Sequence, residues 1–87
     1  MYICKKMYYV YLLKLVDGNY YTGFSHNLKA RFEEHTEGKC LSTSKLRPLV
    51  LYWYCSFHDK RQALQFEKYL KTASGKAFRN KHLINTP

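Results

Sequence analysis

Two helix-spaced stripes in this sequence carry charged residues where apolar ones would be cheaper. Leu28, Arg31, Phe32 and His35 fall at i, i+3, i+4 and i+7, the spacing of one helical face. Leu28 and Phe32 are the residues such a face would bury, so Arg31 and His35 stand on it or beside it. Ala63, Phe66, Glu67 and Leu70 repeat the spacing farther along, with Glu67 in an apolar residue's place. A charge at a buried face costs of order several kcal/mol unless it is paired or binds something. Either Arg31 and Glu67 pair, or their side chains reach outward along the stripe's edge, or cation, imidazole and carboxylate converge on a shared cleft. The last arrangement is what acid–base and anion chemistry needs.

Phenols can join the same place. Tyr11 and Tyr21 lie on either side of Asp17-Gly18, the strongest hairpin signal in the chain. A two-residue loop would pair Val16 with Asn19 and put the two tyrosines on opposite faces. A three-residue loop, Val16-Asp17-Gly18 with Gly18 left-handed, would pair Leu15 with Asn19 and put them on one face. Cooperation between the tyrosines therefore requires the bulged turn.

The elements that position these groups follow from pattern and punctuation. Tyr8–Val16 and Asn19–Phe24 read as strands. Ser25–Asn27 can cap a helix over 28–36, with Gly38 its natural stop. Lys39–Arg47 is polar and reads as a loop, and Pro48 opens a strand over 49–57. Asp59 with Gln62 resembles a capping box for a helix to about Lys71. Ser74-Gly75 should break it, leaving a short helix over 76–83. The order β-β-α-β-α-α predicts an α+β domain in which a small three-stranded antiparallel sheet is flanked by helices.

The chain has 87 residues, enough for one small domain, with 15 Lys and Arg against 6 Asp and Glu. At 46% apolar it is too hydrophobic for a disordered basic tail. The surplus of cations points to a polyanion, nucleic acid before an acidic membrane. Lys60, Arg61, Lys68, Lys71, Lys76, Arg79 and Lys81 face Glu67 alone between residues 60 and 82, while Lys39, Lys45 and Arg47 add charge in the loop. Such residues contact phosphate and carry little sequence information. No apolar stretch approaches the roughly 18 residues of a membrane span, and no extended basic amphipathic helix favours a membrane surface. Cys4, Cys40 and Cys55 form no C-x-x-C pair, and the N-terminus has no signal-peptide pattern, so a cytoplasmic setting is expected. A zinc site from His35, Cys40, Cys55 and His58 would need spacings unlike the usual ligand pairs.

Tyr9-Val10-Tyr11, nine residues, then Tyr21-Thr22-Gly23 resembles the paired signature of the GIY-YIG endonucleases. The resemblance extends over about residues 7–83. It includes Arg31 in a helix after the second motif, His35 one turn later, Glu67 in a following helix, and the Thr43-Ser44-Lys45-x-Arg47-Pro48 loop of small stand-alone bacterial members. The family also contains the N-terminal nuclease domain of a bacterial excision-repair endonuclease. Tyr9 and Val10 replace Gly and Ile of the first motif, and Thr22 the Ile of the second. A family Asn near the C-terminus has no clear counterpart, Asn80 and Asn85 being the two choices.

The resemblance implies hydrolysis of DNA phosphodiester bonds with one divalent metal, usually Mg2+ with Mn2+ as the alternative, held by Glu67. It implies that Arg31 donates to a non-bridging phosphate oxygen, that Tyr11 deprotonates or orients the attacking water, and that Tyr21 and His35 assist. Gly18 and Gly23 would be structural, Gly23 by permitting close backbone approach. Lys39, Lys45, Arg47, Lys68, Lys71, Lys76 and Arg79 would bind the DNA backbone. The expected substrate is duplex or branched DNA, RNA not being excluded, cut with structure selectivity or weak sequence selectivity and with target choice left to DNA shape or a protein partner. The competing reading is an inert nucleic-acid-binding module of the same fold.

Overall fold

A computed structural model describes residues 6–84; Cys4 and Asn85 lie outside them. Strands β1 (Tyr8–Lys14) and β2 (Tyr20–Ser25) form the hairpin, and helix α1 (Leu28–Thr36) follows. Strand β3 (Val50–Phe57) and helices α2 (Lys60–Leu70) and α3 (Ala73–His82) complete the order β-β-α-β-α-α. The sheet is antiparallel in the order β2-β1-β3, so the β1 strand is central. It is an α+β fold.

The hairpin closes with the bulged turn. Leu15 N–H donates to Asn19 O at 2.8 Å, Gly18 N–H donates to Leu15 O at 2.9 Å, and Gly18 has φ +89°. A left-handed residue is required there, and glycine takes that conformation without steric cost. The register that follows pairs Tyr11 with Gly23 and Leu13 with Tyr21, which puts both motif tyrosines on one face.

Alternation along β1 divides the core in two. Tyr11, Leu13 and Leu15 pack with Leu49 and with Leu28 and Phe32 of α1. Val10 packs on the other face with Ala63, Phe66 and Leu70 of α2 and with Phe78 and Leu83. A fully buried side chain such as Leu13 or Leu70 contributes about 1.5–3 kcal/mol. A bulge between Leu12 and Leu13 puts Leu51 opposite Leu13 and Trp53 opposite Leu12, leaving Tyr52 as the extra residue of β3.

Helix starts follow their caps. Asn27 accepts from Ala30 N–H at 3.1 Å and Asp59 from Arg61 N–H at 2.9 Å. Gln62 returns no bond to Asp59, so this is a single cap and not a capping box. Ser74-Gly75 does not break the chain: both residues lie inside α3, which begins at Ala73 because Thr72 caps it by accepting from Gly75 N–H at 3.0 Å. Gly75 is needed for packing, since a β-carbon there would collide with the Tyr69 carbonyl. The α2–α3 corner is thus a tight backbone contact that local propensity reads as a helix stop.

Candidate active site

The site is built on the Tyr11 face. The Tyr11 ring lies flat across Gly23, its partner on β2, where any side chain would overlap it. Tyr11 Oη is 3.0 Å from His35 Nε2, and His35 Nδ1 is 2.8 Å from Thr43 Oγ1. Tyr11 is 1% exposed, and His35 and Thr43 are fully buried, so this is a closed polar chain inside the core. Tyr21 packs beside it, with ring centroids 6.5 Å from Tyr11 and 5.2 Å from His35. Helix α1 supplies His35 from its last turn. The turn bonds Thr43 N–H to Cys40 O at 3.1 Å and Leu46 N–H to Thr43 O at 2.9 Å hold the loop against the ring.

Arg31 lies half-buried beside the phenol and donates to Glu34 Oε1 at 3.0 Å, with Cys40 Sγ at 3.5 Å. Burial pushes the Tyr11 phenol up to about 12, and the Arg31 guanidinium offsets only part of the rise. Burial, with the charge of Arg31, lowers His35 below its ordinary value. Arg31 itself is raised by Glu34 and then by Tyr11. Burial opposes ionisation of Cys40, but the Ser42 hydrogen bond and Arg31 outweigh it and lower the thiol. At neutral pH the site therefore holds a protonated phenol, a neutral imidazole and a fixed cation.

Glu67 is not part of this cluster. The stripe spacing allows an Arg31–Glu67 pair, a shared cleft or side chains that reach outward, and α1 and α2 cover opposite faces of the sheet. Arg31 pairs with Glu34, whereas Glu67 Oε2 pairs with Lys71 Nζ at 3.0 Å, so the Arg31–Glu67 ion pair does not form. Each charge found a partner on its own helix, three or four residues away. The Glu67 side chain is only 19% exposed, and its other oxygen has no protein partner among the described residues. One hard oxygen donor of this kind suits a divalent cation that keeps most of its waters, with Lys71 displaced. Zinc does not fit His35, because Tyr11 and Thr43 occupy both ring nitrogens. Cys55 lies in the Val10 cluster on the other face, where burial raises its thiol.

The basic residues divide by what already holds them. Arg47 donates to the carbonyls of Ser44 and Thr36 at 2.9 and 3.2 Å and lies on Gly38, so it ties the loop to the end of α1. Lys39 pairs with Glu37 at 3.7 Å and Lys71 with Glu67. Arg79 lies over the Tyr20 ring, and its guanidinium donates to Asn80 Oδ1, which gives Asn80 a local partner on α3. Lys45, Lys68 and Lys76 are exposed and make no ion pair among the described residues. Thr43 carried no individual signal in the sequence, because its contact with His35 is made by loop folding.

Fold and site together define a small α+β catalytic domain whose sheet carries a phenol–imidazole pair beside an arginine. Residues 7–82 match the family described as the GIY-YIG catalytic domain, and the chain belongs to that family, one of nucleases. It is 39% identical over 69 residues to a UPF0213 protein of Bacillus pumilus (strain SAFR-032), covering 78% of this chain and 70% of that protein. It is 38% identical over 77 residues to a UPF0213 protein of Orgyia pseudotsugata multicapsid polyhedrosis virus, covering 85% and 73% respectively. The solution NMR structure of a UPF0213 protein from Bacillus halodurans matches with a TM-score of 0.58 at 29% identity, over 93% of this chain and 88% of that one. No helix among the described residues is long and apolar enough to cross a membrane.

Proposed function

We propose that this protein is a metal-dependent endonuclease that hydrolyses DNA phosphodiester bonds, with Tyr11, Tyr21, Arg31, His35 and Glu67 as its working residues. The observation that carries the reading is the buried Thr43–His35–Tyr11 chain ending beside Arg31. Arg31 has only donors to offer the phenol oxygen, so the Tyr11 hydroxyl proton turns to His35 Nε2. Nδ1–H then donates to Thr43 Oγ1, which selects the tautomer. A phenol near 12 is almost never ionised at neutral pH, so Tyr11 does not act as a free phenolate. It takes the water proton as its own passes to the neutral imidazole, whose lowered pKa keeps it available as an acceptor. Arg31 donates to a non-bridging oxygen of the phosphate and stabilises charge as it develops.

Glu67 would hold Mg2+ or Mn2+, which when bound supplies charge stabilisation at the phosphate and the departing oxygen. Arg31 and Glu67 arise on helices that cover opposite faces of the sheet, so a phosphate that both serve would have to lie at a sheet edge. Lys45, Lys68 and Lys76, which make no ion pair among the described residues, attract phosphate without reading sequence, which supports structure-selective or weakly selective cutting. A reducing, DNA-containing compartment, the cytoplasm, is the setting, with DNA repair a suitable role and a targeting protein a further source of specificity.

The test is cleavage of branched, flapped and duplex DNA with Mg2+ and with EDTA, comparing wild type with Glu67→Ala and Tyr11→Phe. Cutting is expected with Mg2+ alone and is lost in both variants. Cutting that survives Glu67→Ala would remove the metal assignment. Failure to cut any substrate, with binding retained, would make the chain an inert binding module.

A further inference from the structure

A second feature of the Tyr11 face has no part in the hydrolytic scheme. An open groove of about 500 Å³ runs between the start of α1 and β3. Its walls are Leu28 and Phe32 on the helix and Tyr9 and Tyr54 on the sheet, with His26 and Lys29 at the rim. Tyr54 is the register partner of Tyr11 on the neighbouring strand, and Tyr9 lies two residues before Tyr11 on the same face. Leu28 and Phe32 bracket Arg31 within one turn of α1. The groove therefore borders β1, the strand that carries Tyr11, through Tyr9, and reaches β3 one strand spacing, about 4.8 Å, away through Tyr54.

Its composition is unusual for a surface. Tyr54 is 54% exposed, a large aromatic left uncovered in a small domain. The Tyr9 and Tyr54 rings stand 6.3 Å apart at 59°, a corner with two aromatic walls. Among the described residues no carboxylate lines the groove, and Lys29 and the positive end of the α1 dipole favour an anion at the rim. A second copy of this chain would bring the same +9 charge to that rim. A nucleotide instead offers a flat aromatic base for the walls and a phosphate for the rim.

We propose that this groove is a subsite for one unstacked nucleobase of the DNA, with Tyr54 as its stacking platform, Tyr9 closing the corner and Lys29 holding an adjoining phosphate. This rests on the nuclease reading and sharpens it: the substrate is DNA with an unpaired nucleotide near the scissile bond, because a base inside a duplex has no free face to offer.

The experiment measures binding in EDTA, so it does not depend on cleavage. The probe is a synthetic duplex with a single unpaired 2-aminopurine, compared with the fully paired duplex. Wild type should bind the unpaired probe more tightly and change its fluorescence. Tyr54→Leu should weaken that binding about 5- to 150-fold and abolish the fluorescence change, leave affinity for paired duplex unaltered, and be rescued by Tyr54→Phe. Lys29→Gln should reduce the salt slope by about one. Equal affinity for the two duplexes, or a fluorescence change that persists in Tyr54→Leu, would overturn the subsite. Cleavage with Mg2+ reads the other proposal separately: base stacking without cutting would sink the nuclease reading alone, and cutting of the unpaired substrate by Tyr54→Leu at the wild-type rate would sink the subsite alone.

Discussion

The two faces of the central strand are finished in opposite ways. The Val10 face is closed by α2 and α3 with apolar and aromatic contacts: Ala63 and Leu70 fully buried, and Phe66 near Trp53, Phe57 and Phe78. The Tyr11 face buries a phenol, an imidazole and a hydroxyl in hydrogen-bond series, under a shorter helix and an irregular loop. An apolar contact tolerates small shifts, whereas a buried polar chain costs its full desolvation if one partner moves. One face therefore holds the domain together, and the other gives up part of that stability for geometry. The division explains how so small a core carries a polar centre at all.

Breaking the contrast should produce unequal losses. The largest is expected from Tyr11→Phe, which keeps the ring over Gly23 and removes only the hydroxyl. Cleavage should fall about 10²- to 10⁴-fold, or about 3–5 kcal/mol in barrier, and the His35 Nε2 left unpartnered should cost about 1–3 kcal/mol of stability. A rate within threefold of wild type would remove Tyr11 from the chemistry. Leu70→Ala is the converse on the other face: a loss of about 2–5 kcal/mol in denaturant unfolding, with kcat of the folded fraction preserved. If kcat fell as far as in Tyr11→Phe, the two faces would not be separable.

Thr43→Val keeps shape and leaves His35 Nδ1 unpartnered, at about 1–3 kcal/mol of stability. It should also alter the pH–rate profile, since the imidazole tautomer is no longer selected, and Thr43→Ser should restore the profile. A profile identical to wild type in Thr43→Val would reduce Thr43 to a packing residue.

The smallest effect is the pH dependence of stability itself. His35 is lowered in the folded chain, so the unfolded chain takes the proton first as pH falls. The stability of the neutral ring is complete above about 6.5 and is lost as pH drops through the lowered folded value. Tyr11 is raised, so its contribution is present below pH 10 and is lost as pH rises through about 12. Thermal melts should show both arms, and His35→Gln should flatten the acid one. An unchanged acid arm in that variant would assign it to other groups.

Much of this contrast was legible in the residues. The bulged turn followed from Asp17-Gly18 once Tyr11 and Tyr21 were required on one face, and α1 followed from Asn27 and the Leu28–Phe32 spacing. The limits lie where distance in space departs from distance along the chain. Glu67 shares a periodic pattern with Arg31, yet periodicity says which side of its own helix a residue takes and not which face of the sheet that helix covers. Ser74-Gly75 reads as a stop on propensity, but packing against Tyr69 overrides it. Arg47 reads as a phosphate ligand by charge, and its guanidinium is committed to two carbonyls.

The sequence by itself determined the order of elements, the turn, and the residue types at the site, because these depend on local propensity, caps and period. Only the tertiary structure decided that Thr43 completes the His35 chain, that Glu67 stands across the sheet from Arg31, and that Tyr54 is left bare beside Tyr11. Those are outcomes of how helices dock on a twisted sheet, and no spacing along the chain encodes them.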